Sequence, residues 1–193
     1  MDIPIVVIAF ILAFVLFLVW MIVAFNGLVR MRNRVRNGWS DIDVQLARRH
    51  DLVPNLVETA KGYMQHERSV LDEVTQARSQ AVVPTANIPQ RALAEASLTG
   101  ALSRFFVQVE NYPNLRAAEN MQLLQEQLTS TENRIAFARQ HYNDEVMNYN
   151  TARLSFPRNI LAGIFGLAPA TMFAADPNDR ERVEVQLSSS SRP

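Results

Sequence analysis

Apolar residues fill the first 25 positions of the chain almost without interruption, and beyond them they recur at every third or fourth position. Residues 5–25, which include Ile5, Phe14, Trp20 and Phe25, contain no charge, no glycine and no polar side chain. As a helix rising about 1.5 Å per residue, this run reaches roughly 30 Å, the thickness of the bilayer hydrocarbon core. Only a helix can satisfy its own backbone hydrogen bonds there, so the run predicts a transmembrane helix.

A cleaved signal peptide is the competing interpretation of this run. It would need a basic segment before the apolar stretch, a shorter apolar stretch and a cleavage site with small residues. Only Asp2 precedes the run as a charged residue, the run is long, and no small-x-small site follows it. We therefore expect an uncleaved membrane anchor.

Basic residues follow the anchor on one side only: Arg30, Arg32, Arg34 and Arg36 precede the first acid, Asp41. Positive residues stay on the cytoplasmic side of a membrane, so the helix is expected to have its N-terminus outside and the rest of the chain in the cytoplasm. The same four arginines are candidate contacts for anionic lipid headgroups, each worth on the order of 1 kcal/mol. Alternatively, they only determine topology.

The next apolar positions form one stripe with helical spacing. It starts with Val35, Trp39, Ile42 and Leu46 and resumes at Val53, Leu56, Ala60, Tyr63, Val70, Val74, Ala77 and Ala81. This stripe predicts one long helix, continuous or nearly so with the anchor. Gly38 and Pro54 interrupt it, and the missing N–H of Pro54 predicts a kink near Asp51.

Two further helices are expected after a proline-containing loop at residues 83–89. The second helix carries Leu98, Leu102, Phe105, Val109 and Tyr112 and should end or bend at Pro113. The third keeps a seven-residue, coiled-coil-like repeat from Met121 through Leu124, Leu128, Thr131, Ile135, Ala138, Tyr142, Glu145, Tyr149 and Ala152 to Phe156, and Pro157 stops it. The predicted fold is all-α: an N-terminal transmembrane helix continuing into an elongated antiparallel bundle of three long helices, plus a short C-terminal helical segment.

Residues 160–173 are apolar but too few to span a bilayer. They form either a short helix that caps the bundle or a segment at the membrane interface, and the sequence leaves both open. The polar residues that follow cannot bury enough apolar surface to order themselves. We therefore divide the chain into an anchor (1–29), a helical bundle (30–158), a short apolar segment (159–175) and a disordered tail (176–193).

Residue types that carry chemistry are sparse. The chain has no cysteine, which excludes disulfides, thiolate metal sites and cysteine catalysis. None of its three histidines has a glutamate three residues before it, as a di-iron bundle would require. No phosphate-binding glycine-rich loop or G-x-S-x-G motif is present, and zero net charge argues against nucleic-acid binding. We expect a protein that is not an enzyme and binds no metal or cofactor.

Polar residues interrupt the apolar stripes at two places. Near Pro54 they are Arg48, Arg49, His50, Asp51 and Asn55, and on the third helix they are Glu132, Asn133 and Arg134, followed by Asn143, Asp144 and Asn150. They form either a site for a ligand or partner, or a buried polar layer that aligns the helices at some cost in stability. The aromatic residues Trp39, Phe105, Phe106, Tyr142 and Tyr149 are expected in the core.

Several motifs resemble those of the LemA family of bacterial membrane proteins. They are WSDIDVQL (39–46), RRHDLVPNLV (48–57), ENYPNL (110–115), TENRIA (131–136), AR (138–139), YN (142–143 and 149–150) and FP (156–157). The family's usual alanine before the tryptophan is Gly38 here, and a commonly basic position is Ala47. The resemblance implies a membrane helix, an antiparallel bundle and a place in the bacterial inner membrane. It implies no established enzymatic activity and no catalytic residue.

The resemblance also suggests, by analogy, a role in membrane organisation, since a related protein acts in magnetosome membrane formation. The leading hypothesis is a membrane scaffold that forms homo-oligomers or recruits other envelope proteins. One alternative is an adaptor for a membrane protease or an envelope-stress system. Another is a sensor of lipid or a small molecule that uses the polar layer.

Overall fold

The computed structural model describes residues 3–85 and 87–173, so the tail expected at 176–193 lies outside the described residues. Within those ranges the chain forms helices and no strand, as the all-α prediction requires. The elements are α1 (Ile3–Lys61), α2 (Arg68–Val82), α3 (Ile88–Val109), α4 (Pro113–Arg116), α5 (Glu119–Leu154) and α6 (Arg158–Ile164).

The first half of α1 is the apolar helix that the sequence predicts. An 18-residue window in it has a mean hydropathy of 3.3, and none of that window is buried inside the protein. Phe14 and Trp20 are exposed, whereas Phe25 is half-buried where the bundle begins. Ile5 lies in α1, but its side chain is not among those described. This part of α1 is strongly apolar and has no other part of the protein packed on it. Both properties match those of one membrane-spanning helix.

The prediction of one helix reaching Ala81 is wrong, because the chain breaks at residues 62–67. Ala60 O accepts hydrogen bonds from the backbone N–H groups of both Tyr63 and Met64, which ends α1 in a turn. Met64 is fully buried at this turn, whereas Tyr63, expected in the stripe, is 47% exposed. Gly62 is a poor helix former, and turning the chain back buries the Met64 side chain.

Pro54 does not end α1, which continues through it to Lys61. A proline cannot donate to the carbonyl four residues before it, which here belongs to His50. Arg78 of α2 supplies the missing donor, since its Nε lies 2.7 Å from His50 O. The returning helix α2 thus satisfies the backbone acceptor that Pro54 leaves free within α1.

The bundle is built around the pairing of α1 with α5. At its distal part, α2 and α3 complete a core that includes Leu56, Val74 and Phe105. Nearer the apolar span, α1 and α5 pack around Ile42 and Tyr142. Gly38 permits their close approach there, because a Cβ at this position would lie 3.3 Å from the Cα of Tyr142.

The ends of the later helices differ slightly from the expected ones. Helix α3 ends at Val109, and Pro113 opens the short helix α4 instead of ending α3. Helix α5 ends at Leu154, so Phe156, expected in the stripe, is 80% exposed. Of the aromatic residues expected in the core, Phe105, Tyr142 and Tyr149 are buried, and Trp39 and Phe106 are half-buried.

Candidate functional site

A layer of charged and polar side chains crosses the middle of the bundle; we call Arg49, His50, Glu95, Thr99 and Glu132 the charged layer. Arg49 of α1 is 2% exposed. Its Nη1 donates to Glu132 Oε2 at 2.7 Å and to Thr99 Oγ1 at 2.9 Å, and its Nη2 donates to Glu95 Oε2. His50 Nε2 lies 2.9 Å from the other Glu95 oxygen. One buried guanidinium therefore joins α1 to both α3 and α5.

The Glu95 carboxyl is held in its ionised form. Burial alone raises the pKa of a carboxyl, but the hydrogen bonds from His50 and Arg49 and the charge of Arg49 outweigh it. The Glu95 pKa is therefore below its ordinary value. Glu95 is 4% exposed, whereas the Glu132 side chain is 45% exposed, so the two acids that pair with Arg49 differ in their access to water.

The structure brings together only part of the polar set predicted from the sequence. Arg49 and Glu132 meet, and His50 joins them. Of the other eight candidates, Asn143 and Asn150 are half-buried and bind the backbone of residues 173 and 170. The remaining six are exposed on the surfaces of their helices: Arg48, Asp51, Asn55, Asn133, Arg134 and Asp144. Sequence reasoning missed Glu95 and Thr99 on α3. The available signal was the position of Glu95 three residues before Leu98, which makes it a charged residue on the apolar stripe of α3.

A groove between α3 and α5, with α1 as its floor, lies over part of the charged layer. One cavity of about 300 Å³ has Arg49, Glu95 and Glu132 in its wall and reaches Phe173 at its end. A second, of about 230 Å³, lies on the other side of Glu132 and extends to Phe106 and Leu128. The buried Nε of Arg49 has no hydrogen-bond partner within the described residues. We call this surface the α3–α5 groove.

A second arrangement on α5 holds residues 167–173 against the bundle. Asn150 donates to Ala170 O and accepts from Ala170 N, both at 2.9 Å. Asn143 makes the same two bonds with Phe173, at 3.1 and 2.8 Å. The hydroxyls of Tyr149 and Tyr142, one residue before each asparagine, donate to Ala168 O and Thr171 O at 2.9 and 2.7 Å.

The two tyrosine–asparagine pairs match the geometry of an extended chain. They are seven residues apart on α5, or about 10 Å along a helix. Their partners are three residues apart, which is also about 10 Å in an extended chain. We call these four side chains the Tyr/Asn ladder. Each rung binds backbone atoms, so the ladder holds the backbone of the segment, while the buried side chains of Leu167 and Phe173 pack into the bundle.

Comparison with known proteins identifies the family of this chain. Residues 38–187 match the model of the LemA family. The chain belongs to the LemA family. Magnetosome protein MamQ 2 of Paramagnetospirillum magneticum is 25% identical over 192 residues, covering 86% of this chain and 71% of that protein. MamQ of Magnetospirillum gryphiswaldense is 24% identical with the same coverage. Protein LemA of Metamycoplasma hominis is 27% identical over 167 residues, covering 84% and 74%.

Membership of the LemA family confirms the resemblance drawn from the sequence motifs. The structure assigns physical roles to those motifs in this chain. RRHDLVPNLV supplies the central arginine, and it supplies Pro54, whose missing N–H leaves the His50 carbonyl to accept from Arg78 instead. TENRIA supplies Glu132, and the two YN pairs form the Tyr/Asn ladder. Arg30, Arg32, Arg34 and Arg36, the candidate headgroup contacts, are all exposed on α1 beyond the apolar span.

Proposed function

We propose that this LemA-family chain is a non-enzymatic, single-pass membrane scaffold that organises the cell envelope by associating with itself or with other envelope proteins. One observation carries the proposal: α1 passes without a break from the unburied apolar span to the floor of the α3–α5 groove. A single helix with no flexible linker holds the groove at a set distance from the membrane. Relatives named as magnetosome proteins support a structural role over a catalytic one.

Photocrosslinking in native membranes tests the proposal. A photoreactive amino acid replaces Ser103, an exposed residue on the wall of the groove, and a matched control replaces Gln80, an exposed residue on α2. We expect defined adducts from position 103 that position 80 does not give, with a mass equal to two copies of the chain or to one copy plus an envelope protein. A chain that stays monomeric and uncrosslinked from position 103 would refute the scaffold. Adducts with a membrane protease alone would favour the adaptor hypothesis instead.

The proposal places the protein in the bacterial inner membrane with its N-terminus outside and its bundle in the cytoplasm. Four exposed arginines directly after the span support this orientation. The chain has no cysteine, so Gln76→Cys on the exposed face of α2 gives one reactive thiol. We expect a membrane-impermeant maleimide to label it only after the cells are permeabilised. Labelling of intact cells would show that the bundle lies outside the cytoplasm and would refute this orientation.

A further inference from the structure

The end of the bundle next to the apolar span carries an exposed apolar surface. Phe156, Ile160, Ile164 and Phe165 are 80%, 54%, 72% and 52% exposed. Ile160 and Ile164 are four residues apart on α6 and share one side of that helix. The neighbouring residues Leu161 and Ala162 are buried against the bundle. We call these four exposed residues the apolar face.

Water is an unfavourable environment for such a helix. A helix that is apolar on both sides is normally buried, yet α6 has only one side covered by the described part of the protein. Exposed apolar patches on folded proteins mark contacts with another protein or with a membrane. The question is therefore what covers the apolar face.

The position of α6 along α1 answers this question. The rings of Phe25 and Phe165 pack with their centroids 4.5 Å apart. Leu28 of α1 is buried in a small core with Ala162 of α6 and Leu167. Phe25 is the last residue of the apolar span, so α6 lies beside the turn of α1 at which a membrane-crossing helix leaves the hydrocarbon core. The apolar face is thus continuous with the surface that the span presents to lipid.

The charges around this end of the bundle fit a lipid surface. Residues 26–40 and 151–173 contain no Asp or Glu. They contain six arginines, which are Arg30, Arg32, Arg34, Arg36, Arg153 and Arg158. An apolar helix face flanked by basic residues is typical of a helix that lies in the headgroup region of a membrane.

We propose that the apolar face inserts into the interfacial zone of the same bilayer that α1 crosses. The protein then contacts its membrane twice, by the span and by α6, and α6 sets the tilt of the bundle relative to the membrane. The sequence leaves two alternatives open for residues 160–173, a helix that caps the bundle and a segment at the membrane interface. The proposal selects the membrane interface for the exposed part of this segment. The inference stands apart from the scaffold proposal, because a monomer could make both contacts.

Depth-resolved fluorescence quenching on the full-length protein tests this inference. The cysteine-free chain permits one label at a time, placed at Ile164→Cys or at the matched control Phe137→Cys on α5. These two side chains are 72% and 73% exposed, but Phe137 lies far from the span along α5. Each variant, carrying an environment-sensitive fluorophore, is reconstituted in vesicles of phosphatidylcholine and phosphatidylglycerol.

We expect nitroxide-labelled lipids to quench the fluorophore at position 164 at least several-fold more than the one at position 137, and aqueous iodide to show the reverse order. Both positions are exposed, so the labels should not disturb folding, and unchanged Trp39 emission of the unlabelled variants in a Trp20→Phe background checks this. Equal iodide quenching at the two positions would place the apolar face in water and overturn the inference. Protection of position 164 from both quenchers, lost as protein is diluted with lipid, would assign the face to a second copy and also overturn it.

Discussion

Replacing Arg49 by methionine is the most informative perturbation of the charged layer. The Arg49→Met variant keeps most of the side-chain volume but removes the charge, and it leaves the Glu95 carboxylate 4% exposed with His50 as its remaining hydrogen-bond partner. Removing one partner of a buried ion pair costs about 3–5 kcal/mol, because the other charge stays buried and uncompensated. Since each 1.36 kcal/mol is tenfold in an equilibrium constant, the folding equilibrium should fall by at least about a hundredfold.

The double variant Arg49→Met/Glu95→Gln isolates the cause of that loss. It removes both charges, while the glutamine can still hydrogen-bond to His50. Glu132 can remain ionised because it is 45% exposed. Replacing a buried ion pair by neutral groups of similar size is often close to neutral, so we expect the double variant to recover most of the lost stability. Arg48→Met is the matched control: Arg48 is exposed one residue away, and its replacement should change stability by less than about 0.5 kcal/mol.

Urea unfolding of the full-length protein in detergent micelles measures these differences. The chain has two tryptophans, and a Trp20→Phe background leaves Trp39 as the reporter. Trp39 packs against Tyr142 and Phe173, with ring centroids 5.5 and 5.8 Å away, so its emission follows loss of the bundle core. If the double variant were as unstable as Arg49→Met, the uncompensated charge of Glu95 would not be the cause, and the reasoning would fail.

Three further predictions test the ionisation of Glu95, the Tyr/Asn ladder and the hydrogen bond from Arg78. Folding lowers the pKa of Glu95, so ionised Glu95 stabilises the protein above the ordinary glutamate range, and that contribution is lost as pH falls through the lowered folded-state pKa. The stability difference between wild type and Glu95→Gln should therefore shrink when urea titrations move from about pH 7 to about pH 3, and a difference independent of pH would contradict this. Asn150→Ala should speed amide hydrogen exchange in residues 167–173, while Asn148→Ala, an exposed control on the same helix, should not; equal exchange would remove the ladder's role. Arg78→Met should cost about 1–3 kcal/mol in wild type but clearly less in a Pro54→Ala background, where the restored backbone N–H can satisfy the same carbonyl. Additive losses in that double-mutant cycle would refute the proposed link.

The sequence predicted the apolar N-terminal helix and the long helix α5 well because both depend on long, regular patterns. It failed at residues 62–67, where the stripe skips from Tyr63 to Val70 and leaves six residues, 64–69, without an apolar residue in register. Such a gap also occurs inside continuous helices. What decides the outcome here is the burial of Met64 against residues that are distant in sequence, and periodicity does not report that contact.

The charged layer was only partly predictable for a similar reason. Arg49 and Glu132 stand out as polar residues beside apolar stripes, but the sequence offers no distance between them and no reason to prefer them over Arg48 or Asn133. Glu95 could have been found by extending the α3 stripe one turn before Leu98. The Tyr/Asn ladder was visible as a seven-residue repeat. The segment that it binds was not, because residues 167–173 have no periodicity of their own and are held by contacts with residues distant in sequence.

The continuous α1 helix separates two surfaces of this protein by a definite length. Arg49 lies 24 residues beyond Phe25, which corresponds to about 36 Å along a helix, so the α3–α5 groove is about that far from the end of the apolar span, whereas α6 packs beside that end. Residues 165–173 nevertheless join the two. They begin at Phe165, packed on Phe25, and end at Phe173, which lines the groove. The Tyr/Asn ladder binds backbone atoms along this path, so α5 fixes the segment that runs from the end of the apolar span to the groove.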